Sequence, residues 1–192
     1  MNIAVDLDDV TVAIMDGLIS YHNNKFNTNF VYEDHNRWDL DKIWGCTPEE
    51  AMKRVYDFYG SNFMELLLPI EGALDGIKKI SKKHTISFIT SRPTFLEQKT
   101  KRWIKHYLPN YNFITYFTNQ YTPHNISKLK KSDICKKLNI NLIIDDAPVN
   151  ALDCASNNIQ VLLFTRPWNT ELQNNEYITR VNSWKEIVKI LA

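Results

Sequence analysis

Short apolar stretches that alternate with segments of helical periodicity constrain this chain more than any other feature. Residues 3–7, 85–90, 114–118, 142–144 and 160–164 are brief and rich in β-branched or aromatic side chains, so each reads as a strand. Between the later ones apolar residues recur three and four apart: Ala73, Ile77 and Ile80, then Trp103, Ile104 and Tyr107, then Leu129, Ile134 and Leu138, then Val149 and Leu152. Local signals agree with crossover helices there. Thr94 with Glu97 can form a capping box, and Pro148 suits a first helical turn. Repetition of strand and helix in this way implies an α/β fold: a mostly parallel sheet of five main strands, helices on both faces, right-handed crossovers.

One segment breaks the rhythm. About sixty residues separate the first strand from Pro69-Ile70-Glu71-Gly72, more than an ordinary crossover connection contains. Tyr21, Phe30, Trp38, Trp44, Phe58 and Tyr59 lie within it and supply enough aromatic area for a small core of its own. Thr47-Pro48-Glu49-Glu50 reads as a helix start, with a threonine cap, proline in the first turn and glutamate three residues on. The chain therefore divides into an α/β core, residues 1–15 and 70–192, and a small helical cap subdomain, residues 16–69, inserted after the first strand. Ligands of open α/β sheets bind at that end of the strands.

Composition narrows the function classes. A formal net charge of +1 over 192 residues gives no electrostatic case for a nucleic acid polymer or an anionic membrane as partner. Nowhere do about 18 apolar residues run together as a membrane span requires. Met1 leads straight into a strand, which argues against a leader. Cys46, Cys135 and Cys154 are odd in number and far apart, which fits a reducing compartment better than a disulfide framework or a thiolate metal site. The expected location is the cytoplasm. A homodimer is left open by the sequence.

Acidic residues stand where two strands end. Asp6 and Asp8, two apart in "AVDLDDV", can point to one side, with Asp9 pointing elsewhere. Asp145 and Asp146 close the fourth strand in "LIIDDAP". In doubly wound sheets the first and fourth strands are commonly neighbours, so the two pairs would meet in one crevice. Carboxylates that close cannot all stay ionised without a cation among them. Hard oxygen ligands with no His or Cys cluster favour Mg²⁺ over zinc or copper.

These residues resemble the motifs of the haloacid dehalogenase (HAD) superfamily of phosphohydrolases. "AVDLDDV" is similar to its first motif, "FITSR" to its second, "KLKKSDIC" supplies a lysine ahead of a helix, and "IIDDAP" is similar to the acidic fourth motif. The early cap, "PIEGALDGI", "TSRP" and the paired aspartates more narrowly resemble the 5′(3′)-deoxyribonucleotidase family. The resemblance implies Asp6 as nucleophile, giving an aspartyl-phosphate that water then hydrolyses. It implies Asp8 as general acid and base, bonding the metal through its backbone carbonyl. Metal ligands would then be Asp6, Asp8 and Asp146, with Asp145 orienting a metal-bound water or Lys131; the order of Asp145 and Asp146 can be reversed. Thr90 would donate to phosphoryl oxygens and Lys131 would neutralise their charge.

Blander readings accompany each residue. An aspartate at a strand end is often a turn former, and Asp9 in particular reads as a solvated turn residue where many relatives carry glycine. Lys128 and Lys130 lie beside Lys131, and a lysine run is usually a solvated helix face. Ser91 and Arg92 either bind the outer edge of the substrate or cap the helix after Pro93. Trp38 and Trp44 read as core residues, although one of them, or Phe58 or Tyr59, can stack on a base. His22, His35, His84, His106 and His124 show no ligand spacing and take no role. No glycine-rich phosphate loop is present. The expected activity is Mg²⁺-dependent hydrolysis of a small phosphomonoester, foremost a (deoxy)nucleoside monophosphate. A sugar-phosphate phosphatase with the same chemistry and a noncatalytic regulatory module that binds Mg²⁺ and phosphate are the alternatives.

Overall fold

The sheet at the centre of the molecule has six parallel strands in the order β3-β2-β1-β4-β5-β6. They are β1 (Asn2–Val5), β2 (Thr85–Thr90), β3 (Ile114–Phe117), β4 (Leu142–Asp145), β5 (Gln160–Phe164) and β6 (Ile178–Val181), in a computed structural model that describes residues 1–120, 122 and 127–192. His124 lies outside the described residues. The central strands are apolar throughout because both faces are covered. In β1, Ile3 and Val5 enter one buried cluster and Ala4 the other; in β4, Leu142 and Ile144 divide from Ile143 in the same way. Helices α4 (Ala73–Ile80), α5 (Glu97–Tyr107) and α8 (Trp184–Leu191) cover the first face, and α6 (Lys131–Lys137) and α7 (Pro148–Ser156) the second.

Five strands lie where the apolar runs predict them. The sixth, β6, escapes that reading because Thr179 and Arg180 interrupt its pattern, leaving only Ile178 and Val181 buried at the sheet edge. Three local expectations are corrected. No capping box forms at Thr94, where residues Thr94–Leu96 make a 3-10 turn ahead of α5; the Thr94 amide donates to Asn119 Oδ1 at 2.7 Å instead. Val149 and Leu152 face outward on α7, which buries Asn150, Ala151, Cys154 and Ala155. Small side chains let that helix approach the sheet closely, so its inner face is not its most apolar one. Leu129 is exposed and precedes α6.

Helix α4 meets α8 at Gly76. An added Cβ there would stand 2.5 Å from Trp184 Cε3, a ring atom of a side chain only 1% exposed. Gly76→Ala is expected to destabilise the fold by about 1–3 kcal/mol, the usual cost of overpacking, although alanine is the better helix former. A urea midpoint unchanged from the parent protein would show that this contact yields freely.

The long insertion is helical: α1 (Ile14–Phe26), α2 (Leu40–Trp44) and α3 (Pro48–Gly60). Thr47 caps α3 as expected, its Oγ1 accepting from Glu50 N at 3.2 Å with Pro48 in the first turn. The aromatic residues do not form a core of their own. Phe58 and Tyr59 belong to the same buried cluster as Ile3, Val5 and Ile77, so the cap packs continuously onto the sheet's core. His22 stacks on Trp44 at 4.4 Å, and Trp44 Nε1 donates to His35 Nε2 at 3.3 Å, which places both histidines inside the cap. Among the described residues no helix is long and apolar enough to cross a membrane.

Candidate active site

Parallel register brings the acidic strand ends together. Val5 lies opposite Ile144, and the amide of Asp6 donates to Ile144 O at 2.9 Å, so Asp6 and Asp145 leave the sheet side by side. Asp6, Asp145 and Asp146 are buried, and each offers a carboxylate oxygen within 4.8 Å of the others. Asp6 Oδ1 accepts from Leu7 N at 2.7 Å. Lys131 Nζ stands between two of the acids, 2.8 Å from Asp6 Oδ2 and 2.7 Å from Asp145 Oδ2. Asp145 is fixed further by Ala147 N at 2.9 Å and Asn150 Nδ2 at 3.3 Å, and Asp146 Oδ2 accepts from Trp168 Nε1 at 2.8 Å.

The electrostatics of this cluster are unbalanced. Burial drives the Asp6 carboxyl well above the usual carboxylate range against the pull of Lys131, and Asp145, Asp146 and Asp8 add to the rise. Asp146 is raised by burial and by Asp145. Burial opposes the charge on Lys131, yet Asp145 and Asp6 more than reverse that and hold the ammonium protonated. Among the described residues, the three buried carboxylates have one cation in direct contact, Lys131, which reaches only Asp6 and Asp145. That donor set, all hard oxygens in excess of positive charge, fits a divalent ion.

Lysine choice is decided by position. Lys128 and Lys130 are exposed, and Lys130 pairs with Asp153 at 3.0 Å on the surface. Only Lys131, the first residue of α6, turns inward.

Asp8 stands apart from the acidic cluster. Its carboxylate accepts from Arg92 Nε at 3.0 Å to each oxygen and from Nη2 at 2.6 Å, while Arg92 Nη1 donates to Thr100 Oγ1 at 2.9 Å. Thr90 is buried at the end of β2, its Oγ1 accepting from Arg92 N at 3.2 Å; Ser91 Oγ donates to Gln120 Oε1 at 2.9 Å. Neither Ser91 nor Arg92 caps α5, whose cap position is Leu96.

Asp9 corrects the expectation of a solvated turn. It is 3% exposed, and its Oδ1 accepts from Met15 N at 3.2 Å in the first turn of α1. Its φ is +54°, a left-handed conformation that Asp and Asn tolerate better than most residues. Arg166 Nε donates to its carbonyl at 2.7 Å. Thr100, Asn150, Arg166 and Trp168 escaped sequence reasoning. Arg166 and Trp168 had a cue, since both follow the C-terminal end of β5 beside the site.

A cavity of about 300 Å³ opens from these residues towards the cap. Asp6, Asp8 and Asp146 line its polar end, and Leu18, Val55 and Phe58 are among the apolar residues of the rest. Trp38 and Tyr59 also line it, whereas Trp44 does not. Trp38 packs on Trp168 at 5.3 Å between ring centroids.

The parallel sheet with helices inserted after β1 is a fold shared with solved haloacid dehalogenase-like hydrolases. The fold superposes on a haloacid dehalogenase-like hydrolase, SP0104 of Streptococcus pneumoniae, with a TM-score of 0.68 at 15% identity, covering 100% of this chain and 98% of that one. It also superposes on the HAD-hydrolase YfnB of Bacillus subtilis, solved bound to magnesium, with a TM-score of 0.63 at 13% identity, covering 99% and 97% of the two chains. Residues 1–192 match the family of the "5' nucleotidase, deoxy (Pyrimidine), cytosolic type C protein", and the chain belongs to that family of phosphoric monoester hydrolases. Among curated relatives it is 28% identical over 194 residues to the "Putative nucleotidase YqfW" of Bacillus subtilis, covering 98% of this chain and 92% of that protein. It is 24% identical over 192 residues to the "Nucleotidase CA_C3379" of Clostridium acetobutylicum, covering 100% and 93%.

Proposed function

We propose that this protein is a Mg²⁺-dependent phosphatase of nucleoside monophosphates, deoxyribonucleotides foremost, working through an aspartyl-phosphate on Asp6. One observation carries the reading: the buried Asp6 carboxylate at the end of β1, braced by Lys131 and flanked by Asp145 and Asp146, faces a cavity whose far side is apolar. A phosphoryl group fits the polar end, and a flat apolar leaving group fits the other. Asp6, Asp145 and Asp146 would hold the metal together with the Asp8 backbone carbonyl. A bound Mg²⁺ supplies charge neutralisation that lets an anionic phosphate approach clustered carboxylates.

The chain's own groups account for the bond changes. An Asp6 carboxylate oxygen attacks phosphorus and forms the acyl-phosphate bond as the phosphorus to ester-oxygen bond breaks. Asp8 gives its proton to the departing oxygen, which leaves as the nucleoside hydroxyl. Water then attacks phosphorus, Asp8 takes its proton, and Asp6 is released with inorganic phosphate. Thr90 keeps its hydroxyl proton for a phosphoryl oxygen, and Lys131 lowers the cost of charge gathering there.

Phosphate release from dTMP and dUMP, set against ribonucleotides and hexose phosphates with Mg²⁺ or with excess chelator, tests the proposal. Nucleotide turnover should exceed hexose phosphate turnover at least about tenfold in kcat/KM, the scale on which one buried apolar group discriminates, and chelator should abolish both. Equal rates with and without chelator would remove the metal; equal rates across the panel would remove the nucleotide.

A further inference from the structure

We propose that Arg92, although it lines the cavity, acts as the positioning residue of Asp8, anchored by Thr100, rather than as a binder of the phosphate. The inference rests on the acid and base role of Asp8 given above. Every nitrogen of the guanidinium is already engaged: Nε and Nη2 hold the Asp8 carboxylate as a fork, and Nη1 is tied to Thr100 Oγ1. Arg92 is 2% exposed and Thr100 1%, so the fork is set by packing against α5 rather than by solvent. Asp8 itself sits beyond β1 in the turn that leads to α1, with its side chain 24% exposed. A carboxylate in such a turn would otherwise rotate among staggered conformers. Proton transfer to a departing oxygen requires one of them, and a small misplacement is costly. Lysine cannot replace the fork, because an ammonium is a point charge without two parallel donors.

The test compares Arg92→Lys and Thr100→Val at saturating Mg²⁺, each alone and combined with Asp8→Asn. Substrates are a deoxynucleoside monophosphate, whose alkoxide needs a proton to leave, and p-nitrophenyl phosphate, whose phenolate does not. Arg92→Lys is expected to lower nucleotide kcat/KM by about 10- to 100-fold, within the range of general acid catalysis, with KM nearly unchanged and a much smaller loss in kcat/KM on the aryl ester, since kcat/KM reports the first phosphoryl transfer and not the later attack of water that both substrates share. Added to Asp8→Asn it should cost nothing further. Thr100→Val keeps the guanidinium and should show the same leaving-group pattern in kcat/KM at smaller size; should Arg92→Lys not fold, this variant decides, and an equal loss of kcat/KM on both substrates overturns the proposal. A rise in KM, or a loss additive with Asp8→Asn, would mean that Arg92 binds the phosphate. Asp8→Asn with full nucleotide turnover would overturn the acid and base reading itself, and the Arg92 role with it.

Discussion

Asp6→Asn is expected to lower kcat by about 10⁴-fold or more, the scale of loss when an activated nucleophile is removed, while the protein keeps its fold. An amide cannot form the acyl-phosphate, yet it has the shape of the carboxyl it replaces and can still accept from Leu7 N. Lys131 keeps Asp145 as partner at 2.7 Å. Burial already presses the Asp6 carboxyl towards its neutral form against the pull of Lys131, and Asp145 and Asp146 press the same way. A neutral side chain there therefore relieves strain among the acids. The thermal midpoint should be equal to that of the parent or higher, and phosphate release measured at saturating Mg²⁺ should be near background. Retained turnover would end the nucleophilic role of Asp6. A large fall in midpoint would show the residue to be structural first.

Lys131→Met should cost about 3–5 kcal/mol of stability, the usual penalty for leaving buried charge without its partner. The ammonium is fully enclosed and touches Asp6 and Asp145 at once, so its loss leaves two desolvated carboxylates facing each other. Lys130 provides the control within the same helix start. Its side chain is 69% exposed, and Lys130→Met should change stability by less than about 1 kcal/mol, as surface pairs do. Urea midpoints of the two variants measure the contrast directly. Millimolar Mg²⁺ should restore part of the Lys131→Met midpoint, because a ligand that binds only the folded carboxylates stabilises them by linkage. Similar midpoints for the two variants would contradict the buried triad.

The α/β architecture was legible because it is written in local periods. Strands such as Ile3 to Val5 carry apolar residues at every position when both faces are buried, and α4 repeats Ala73, Ile77 and Ile80 along one side. Where local pattern and packing diverge, the reading failed. Val149 and Leu152 have helical spacing but face solvent, since Ala151 and Cys154 fit closer to the sheet. Asp9 has the composition of a turn, yet in its left-handed conformation it is buried with its carboxylate accepting the Met15 amide in the first turn of α1.

What this sequence determined alone is the succession of the first five strands with the helices between the later ones, and the presence of acids where β1 and β4 end, because backbone period and strand-end chemistry depend on near neighbours. Only tertiary structure decided which lysine is buried, that Arg92 grips Asp8 across 84 residues of chain, and that Trp168 and Asn150 fix the second acidic pair. The reason is that a charged side chain takes its partner from whatever the fold brings within about 3 Å, and no periodicity along the chain encodes that distance.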